Sequence, residues 1–567
     1  MKTTMRLFGF EPYRRMIDDT LDRIQKGKVI DRIRAKDHTV WKADPHGIIN
    51  RLGWLDAPRA MKGEVRRIAR FVDDCRKDGF ADVVLLGMGG SSLAPEVLRH
   101  TFGFRKDYLD LSILDSTDPA TILSRTTNMN PARTLVLVST KSGTTVETLS
   151  LFNLFYSIMS DEGGVDGAGD HFTAITDPGS PLVDLARRCS FRETFLNDPD
   201  TGGRYSALSF FGLVPAALTG MDISYLLIRA EAAARSFETT DDISSDRNPA
   251  AFLGAMLGSL ALEGRDKLTF LISPQLKQFG IWLEQLIAES LGKEGKGIIP
   301  VVNEPFVEPE TYSSDRLFLY LKLAWDRSLE ERVASLEAAG HPVLTVEVQD
   351  LYEMGAQFFF WQAATAVAGH VLSVNPFDQP DVESSKELTR RFLDDYRKRG
   401  QFEAETPSGE DRGITIIGGP SGATLSEALS SFLEQAGDGS YVAILAYLQS
   451  KEDTDRALET LRETILARYR CATTLGYGPR YLHSTGQLHK GGGGKGLFIQ
   501  ITANDPHDMH IPGKEGVSED NLFFGVLNDA QARGDGQALQ EAGRPVLVLH
   551  LGDNIVDGLR RLAEALL

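Results

Sequence analysis

Residues 481–496 read YLHSTGQLHKGGGGKG. His483, Gln487 and His489 crowd in front of a glycine run, which suits a ligand cradle, a proton shuttle or a flexible linker. A Walker phosphate loop requires Ser or Thr after Gly-Lys, to hold magnesium. Here Gly496 follows Gly494-Lys495, so the nucleotide reading lacks its hydroxyl. Lys490 and Lys495 read as solvated lysines.

Other stretches could supply an anion site. In VVLLGMGGSSLAPEVL an apolar strand runs into Gly87, Gly89 and Gly90, and a helix opens at Ser91 or Ser92. Such a turn offers unpaired N–H groups and the positive end of a helix dipole to an anion, or is simply a tight strand-to-helix turn. TLVLVSTKSGTTVETL ends a second strand in Ser139, Thr140, Lys141, Ser142, Gly143, Thr144 and Thr145. Helix capping needs one hydroxyl; five, beside a lysine, suit a phosphate monoester.

Three further segments carry charge or proton-transfer chemistry. Arg204 in GGRYSALSFFGL stands where a polar turn gives way to an apolar run, suited to an anionic intermediate or to a surface turn. In GIWLEQLIAESLGK, Gln285 and Glu289 are four apart and share a helix face; a carboxylate there can shuttle a proton or sit at a solvated helix end. In NPFDQPDVESSKELTRRF the prolines force an extended turn past Gln379, and a helix from about Asp381 carries Lys386 beside Glu383 and Glu387. A helical lysine so flanked is ordinarily a surface ion pair.

These segments must be held by an α/β scaffold. After a largely helical, charged region over 1–80, the β-branched runs ADVVLL, LDLSIL, TLVLVS and HFTAIT alternate with helical stretches. The alternation predicts parallel sheets with helices on both faces. A second series, DKLTFLI, GKGIIPVV, RLFLYLKL and HPVLTVEV, follows over 241–395. Residues 396–480 open on a polar Pro/Gly-containing stretch and read as an inserted or appended α/β unit, leaving 481–567 as a C-terminal segment. LEAAGHPVLTVEVQD (336–350) and LQEAGRPVLVLHLGD (539–553) align without gaps, which suggests a duplicated strand-helix-strand element or a common helix-to-strand turn.

Bulk composition narrows the function. The 567 residues are 42% hydrophobic and 25% charged, with net charge -18. That balance argues against a nucleic-acid or anionic-membrane surface. Three scattered cysteines give neither a disulfide framework nor metal-ligand spacing and fit a reducing cytoplasm. No run of about 18 apolar residues could span a membrane, and the N-terminal stretch lacks a signal-peptide core. A cytoplasmic chain without membrane or nucleic-acid partners is expected.

Taken together, GMGGSSL, STKSGTTVET, GGRYSALS, ESLGK, NPFDQPDVESSK and HSTGQLHKGG resemble the glucose-6-phosphate isomerase family, over roughly residues 80–390 and 481–567. Their spellings are similar to the isomerase portion of transaldolase–isomerase fusions, with no transaldolase part in this sequence. The resemblance implies two sugar-isomerase (SIS) domains, at 81–240 and 241–395, and interconversion of glucose 6-phosphate and fructose 6-phosphate without metal or organic cofactor. Gly90 and Ser91 would form the first loop, and Thr140, Lys141, Ser142 and Thr145 would grip the phosphate. Glu289 would move a proton between C1 and C2 through a cis-enediol, and Arg204 would stabilise its charge. Gln285 and Gln379 would line the sugar site, and Lys386 with a histidine would assist ring opening.

By the family's spacing that histidine is His483 rather than His489. In the usual family order, however, the histidine motif follows the ESxGK helix and precedes the lysine; here it follows Lys386. The family's habit of taking the histidine from a neighbouring subunit suggests a homodimer, an inference this order weakens. The competing readings are an isomerase that also accepts mannose 6-phosphate and a sugar-phosphate-binding regulatory SIS module without catalysis. A kinase lacks its nucleotide loop.

Overall fold

The computed structural model describes residues 4–513 and 522–567. Among these, the strands assemble into three sheets. The first runs Asp110–Leu114, Asp82–Leu86, Thr134–Ser139, Phe172–Thr176 and Glu193–Leu196 in spatial order, all parallel. Helices such as Leu93–Phe102 and Val146–Gly163 connect its strands. Central strands covered on both faces have no polar alternation, which is why TLVLVS reads as an unbroken buried run.

The second sheet runs Thr4–Phe8, Val343–Val348, Arg316–Leu323, Lys267–Ile272 and Ile299–Val301. Only Thr4–Phe8 is antiparallel. That strand lies in the stretch expected to be helical. It is five residues long, stands at a sheet edge and is at most half-covered, so TMRLF carries little of the apolar signal that marks a strand.

The third sheet runs Gly409–Asp411, Ile414–Ile417, Val546–His550, Gly496–Thr502, Tyr441–Tyr447 and Ala472–Tyr477. Strands from both sides of residue 480 therefore share one layer. Apart from the short first strand, this sheet repeats the second strand for strand. Val343 pairs with Phe318, Phe318 with Thr269 and Thr269 with Val301. In the same places Val546 pairs with Phe498, Phe498 with Ala443 and Ala443 with Thr474. The antiparallel edge is repeated too, Met5 opposite Val346 and Ile416 opposite Leu549. The similarity of 336–350 to 539–553 is thus one part of a five-stranded repeat.

Behind the first two sheets, helices Pro249–Leu262 and Met354–Leu372 are buried on nearly all sides. Gly254 and Gly258 permit their close approach: a Cβ on either would come within 2.6 and 2.7 Å of Val367 and Val371 Cβ. Among the described residues no helix is long and apolar enough to cross a membrane.

Candidate active site

The first sheet ends in two loops at one crevice, as open parallel sheets do. After Asp82–Leu86 comes Gly87-Met88-Gly89-Gly90, and after Thr134–Ser139 comes the hydroxyl-rich loop. Gly89 takes φ +52°, and a Cβ there would lie 2.6 Å from the His483 carbonyl and 2.8 Å from Gln285 Nε2. Gly90 rests against the Gly203 carbonyl with no room for a side chain. The glycines thus serve close packing of three chain segments, and Ser91 is buried beside them.

Helix Phe279–Leu291 brings Gln285 and Glu289 to this meeting point. Gln285 Nε2 donates to Glu289 Oε2 (3.0 Å) and to the His483 carbonyl (2.7 Å). Gln285 Oε1 is buried without a hydrogen-bond partner. Arg204 Nη1 lies 3.4 Å from Glu289 Oε1, with only 3% of the arginine side chain exposed. Its guanidinium is fixed by Ser290 Oγ (2.7 Å), Gln379 Oε1 (3.1 Å) and the carbonyls of Pro376 and Asp378 (both 2.9 Å). A planar fork with five donors is what this arrangement needs; a lysine could not make it.

His483 Nε2 donates to Glu147 Oε1 at 3.0 Å, a bond that assigns the ring proton to Nε2. Glu147 opens helix Val146–Gly163 and is almost fully buried. Burial pushes its carboxyl up, but His483, through its charge when protonated and its hydrogen bond, with Glu147's own backbone N–H and Lys386, outweighs that and holds it below the ordinary range. Gln531 Nε2 donates to the same Oε1 at 2.7 Å, and Thr117 Oγ1 donates to Gln531 Oε1 at 2.7 Å.

A cavity of about 480 Å³ opens over the His483–Glu147 pair, lined by Ser142, Thr145, Glu147, Gln379, Lys386 and His483 among others. Arg204 and Glu289 lie behind Gln379, which Arg204 Nη1 holds at 3.1 Å. Thr140 Oγ1 and Thr145 Oγ1 share a hydrogen bond at 2.9 Å at its base. Lys386 sits on the rim, half-exposed and paired with Glu383 (2.7 Å). Lys141 departs from expectation: its ammonium is paired with Asp177 and donates to the Pro199 carbonyl (2.9 Å), away from the cavity.

The two histidines are separated by their surroundings. His489 is buried among Tyr441, Tyr481 and Phe498. Its Nδ1 meets Tyr441 Oη at 3.1 Å. Burial, helped by the charge of Lys490, pushes it down to about 3. Lys490, expected in solvent, is buried instead and paired with Asp535 at 2.5 Å. Asp535 also accepts from Tyr481 Oη at 2.6 Å. Six glycines in sixteen residues masked a packed turn of helix, Gly486–Gly491, as a loose segment.

Sequence reading also passed over several groups. Glu147 stood in the quoted STKSGTTVET run but carried no special pattern. Lys293, in ESLGK, donates to the Asn375 and Asp378 carbonyls and to Asp378 Oδ1 (2.7, 2.5 and 2.8 Å). Burial and the neighbouring Arg204 push it down to about 8. Gln531 lies in an ordinary helix far along the chain, and nothing local marks it.

Known proteins extend the comparison. The phosphoglucose isomerase family profile matches residues 59–299. A glucose-6-phosphate isomerase of Symbiobacterium thermophilum is 32% identical over 418 residues, 64% of this chain and 90% of that protein. The chain belongs to the phosphoglucose isomerase family. Family members named glucose-6-phosphate isomerase from Clostridium novyi (29% identical; 59% of this chain, 85% of that one) and Rubrobacter xylanophilus (28%; 64% and 92%) agree. Among solved structures, a hypothetical protein of Thermus thermophilus superposes with TM-score 0.57 and 25% identity, covering 69% of this chain and all of that one. A Chlamydia trachomatis glucose-6-phosphate isomerase gives TM-score 0.56 at 21% identity, covering 67% and 86%, which bears on the fold.

Proposed function

We propose that this chain interconverts glucose 6-phosphate and fructose 6-phosphate as an aldose–ketose isomerase. Membership of the phosphoglucose isomerase family supports the reaction, and the convergence of Glu289, Arg204, Gln285, Glu147 and His483 on one crevice carries it. A phosphate-binding module without catalysis would need the Ser/Thr loop alone.

In this reading the phosphate takes hydroxyls of Ser142 and Thr145 and the N-terminal end of helix Val146–Gly163, where free N–H groups favour an anion. Lys141 joins it only by leaving Asp177. His483, its Nε2–H held by Glu147, keeps Nδ1 for proton exchange as the C1–O5 bond breaks. The anomeric hydroxyl gives up a proton, the ring oxygen gains one, and Lys386 supplies positive charge at the rim. Glu289 then takes the proton from C2 of the open aldose, leaving a cis-enediolate charged on O1; the hydroxyl proton of O2 passes to O1, and Glu289 returns its proton to C1 to give the ketose. The electron pair stays within the substrate while Glu289 carries the proton between the two carbons, so no external oxidant or reductant enters the balance. Arg204, fixed beside Glu289, meets the negative charge that develops on the intermediate. Gln285 and Gln379 hold sugar hydroxyls.

The test is conversion of fructose 6-phosphate, read by coupled oxidation of the glucose 6-phosphate formed, with mannose 6-phosphate in parallel. Turnover of fructose 6-phosphate supports the reading; binding without turnover would favour a regulatory module.

A further inference from the structure

The second and third sheets share more than topology; they face each other reciprocally. In the third unit, the segment between Ala472–Tyr477 and Gly496–Thr502 lies on the helix of the second unit that carries Glu289. Gln285 Nε2 reaches the His483 carbonyl (2.7 Å), Gln487 Nε2 reaches the Gly292 carbonyl (3.0 Å), and Gly295 N–H donates to the Gly491 carbonyl (3.0 Å).

The mirror contact is also present. In the second unit, the segment between Ile299–Val301 and Arg316–Leu323 lies on the corresponding helix of the third unit, Glu452–Tyr469. Arg462 donates to the carbonyls of Asn303 (2.8 Å) and Val302 (3.1 Å), and Arg470 to that of Thr311 (3.1 Å). Between the two contacts, the edge strands Ile299–Val301 and Ala472–Tyr477 share an apolar cluster with Ala443, Leu445 and Phe498. Helix of one to loop of the other, and the reverse, is the pattern of a twofold interface between identical domains.

We infer that the third unit is an internal stand-in for a second copy of the second unit, and that it completes the active site of its own chain in cis by supplying His483. The inference rests on the proposed role of His483 in isomerisation. The two halves of the interface have diverged. The loop of the third unit brings a histidine to Glu147, whereas the equivalent loop of the second, 302–315, has none. There Glu304 is instead bound to Arg316 Nη1 (2.8 Å) and the Thr473 N–H (2.7 Å). One chain thus holds one complete site. Arg480 secures the third unit to the first sheet through Asp115 (3.1 Å) and Glu96.

The test mixes Glu289→Gln with His483→Ala, co-refolded in equal amounts, and measures fructose 6-phosphate turnover. Sites completed in cis give the mean of the two single variants. Sites shared between chains would restore about a quarter of wild-type activity, because random pairing rebuilds one site in four; that result would overturn the inference. Full activity of His483→Ala alone would also overturn it. In a second measurement, Glu289→Gln is titrated with fructose 6-phosphate at nanomolar and micromolar chain concentration. One molecule bound per chain, with unchanged affinity, is expected; affinity that falls on dilution would overturn the pairing. A wild-type chain that binds the sugar phosphate without turning it over would sink the proposed reaction and leave this binding result to decide the pairing.

Discussion

His483 and Glu147 are 336 positions apart in the chain, and their side chains meet at 3.0 Å. The histidine belongs to the third sheet unit and the carboxylate to the first, so the hydrogen bond exists only when both units dock. Gln531, also from the third unit, reaches the same carboxylate oxygen and narrows the positions Glu147 can take.

Replacing Gln531 by Leu removes that second hydrogen bond without touching the cavity's cations. The expected result is a fall in kcat of about tenfold with KM for fructose 6-phosphate nearly unchanged, the signature of lost alignment rather than lost binding. Ring ¹⁵N shifts of His483 should then show the Nε2–H tautomer giving way to a mixture; an unaltered tautomer would assign Gln531 to packing alone.

Glu289→Gln keeps the shape of the side chain and its hydrogen bond with Gln285 while removing the proposed base. Turnover should drop by at least about a hundredfold, the usual contribution of a positioned general base. Exchange of the C2 hydrogen of glucose 6-phosphate with solvent should stop while binding persists. Retained exchange would move the proton transfer to another group.

Arg204→Lys preserves charge but cannot span Ser290, Gln379 and two carbonyls at once. Leaving such buried acceptors unpaired costs about 1–3 kcal/mol each. Both a lower Tm and a kcat reduced by about a hundredfold are expected, measured by thermal unfolding and the coupled assay. Activity within twofold of wild type would remove Arg204 from charge stabilisation.

Acid sensitivity should trace partly to His489. Burial holds its folded-state value near 3, against about 6.5 for an unfolded histidine. Between those values the unfolded chain takes up a proton that the folded chain refuses, so stability falls as pH falls below about 6.5, by up to about 1.4 kcal/mol per unit. Urea unfolding at pH 7 and pH 5 should show wild type losing about 2 kcal/mol more than His489→Gln. Equal losses in the two proteins would place the acid sensitivity elsewhere.

Much of the scaffold was legible because parallel strands buried on both faces write themselves as apolar β-branched runs. ADVVLL, TLVLVS, HFTAIT and RLFLYLKL need no context to be read as strands. Thr4–Phe8 escaped because an edge strand has little to bury. The candidate site was legible where several polar groups cluster in sequence, as in STKSGTT or around Gln285 and Glu289. It was not legible where one residue acts across units: Gln531 and Lys293 are ordinary in sequence and acquire meaning only from what packs against them. The glycine-backed segment misled in the opposite direction. Glycines can mean looseness, but at Gly89 and at 486–496 they allow tight approach, and Lys490 went inside with Asp535 as its partner.

The doubled sheet has a historical consequence. While two copies of a domain are equivalent, either can be deleted and the chain returns to its earlier form. Here one copy carries Glu289 and the other His483, and the loop that would mirror the histidine's has none. On the proposed roles of Glu289 and His483 neither copy is dispensable, and the duplication becomes irreversible: selection on a single chemical step preserves both.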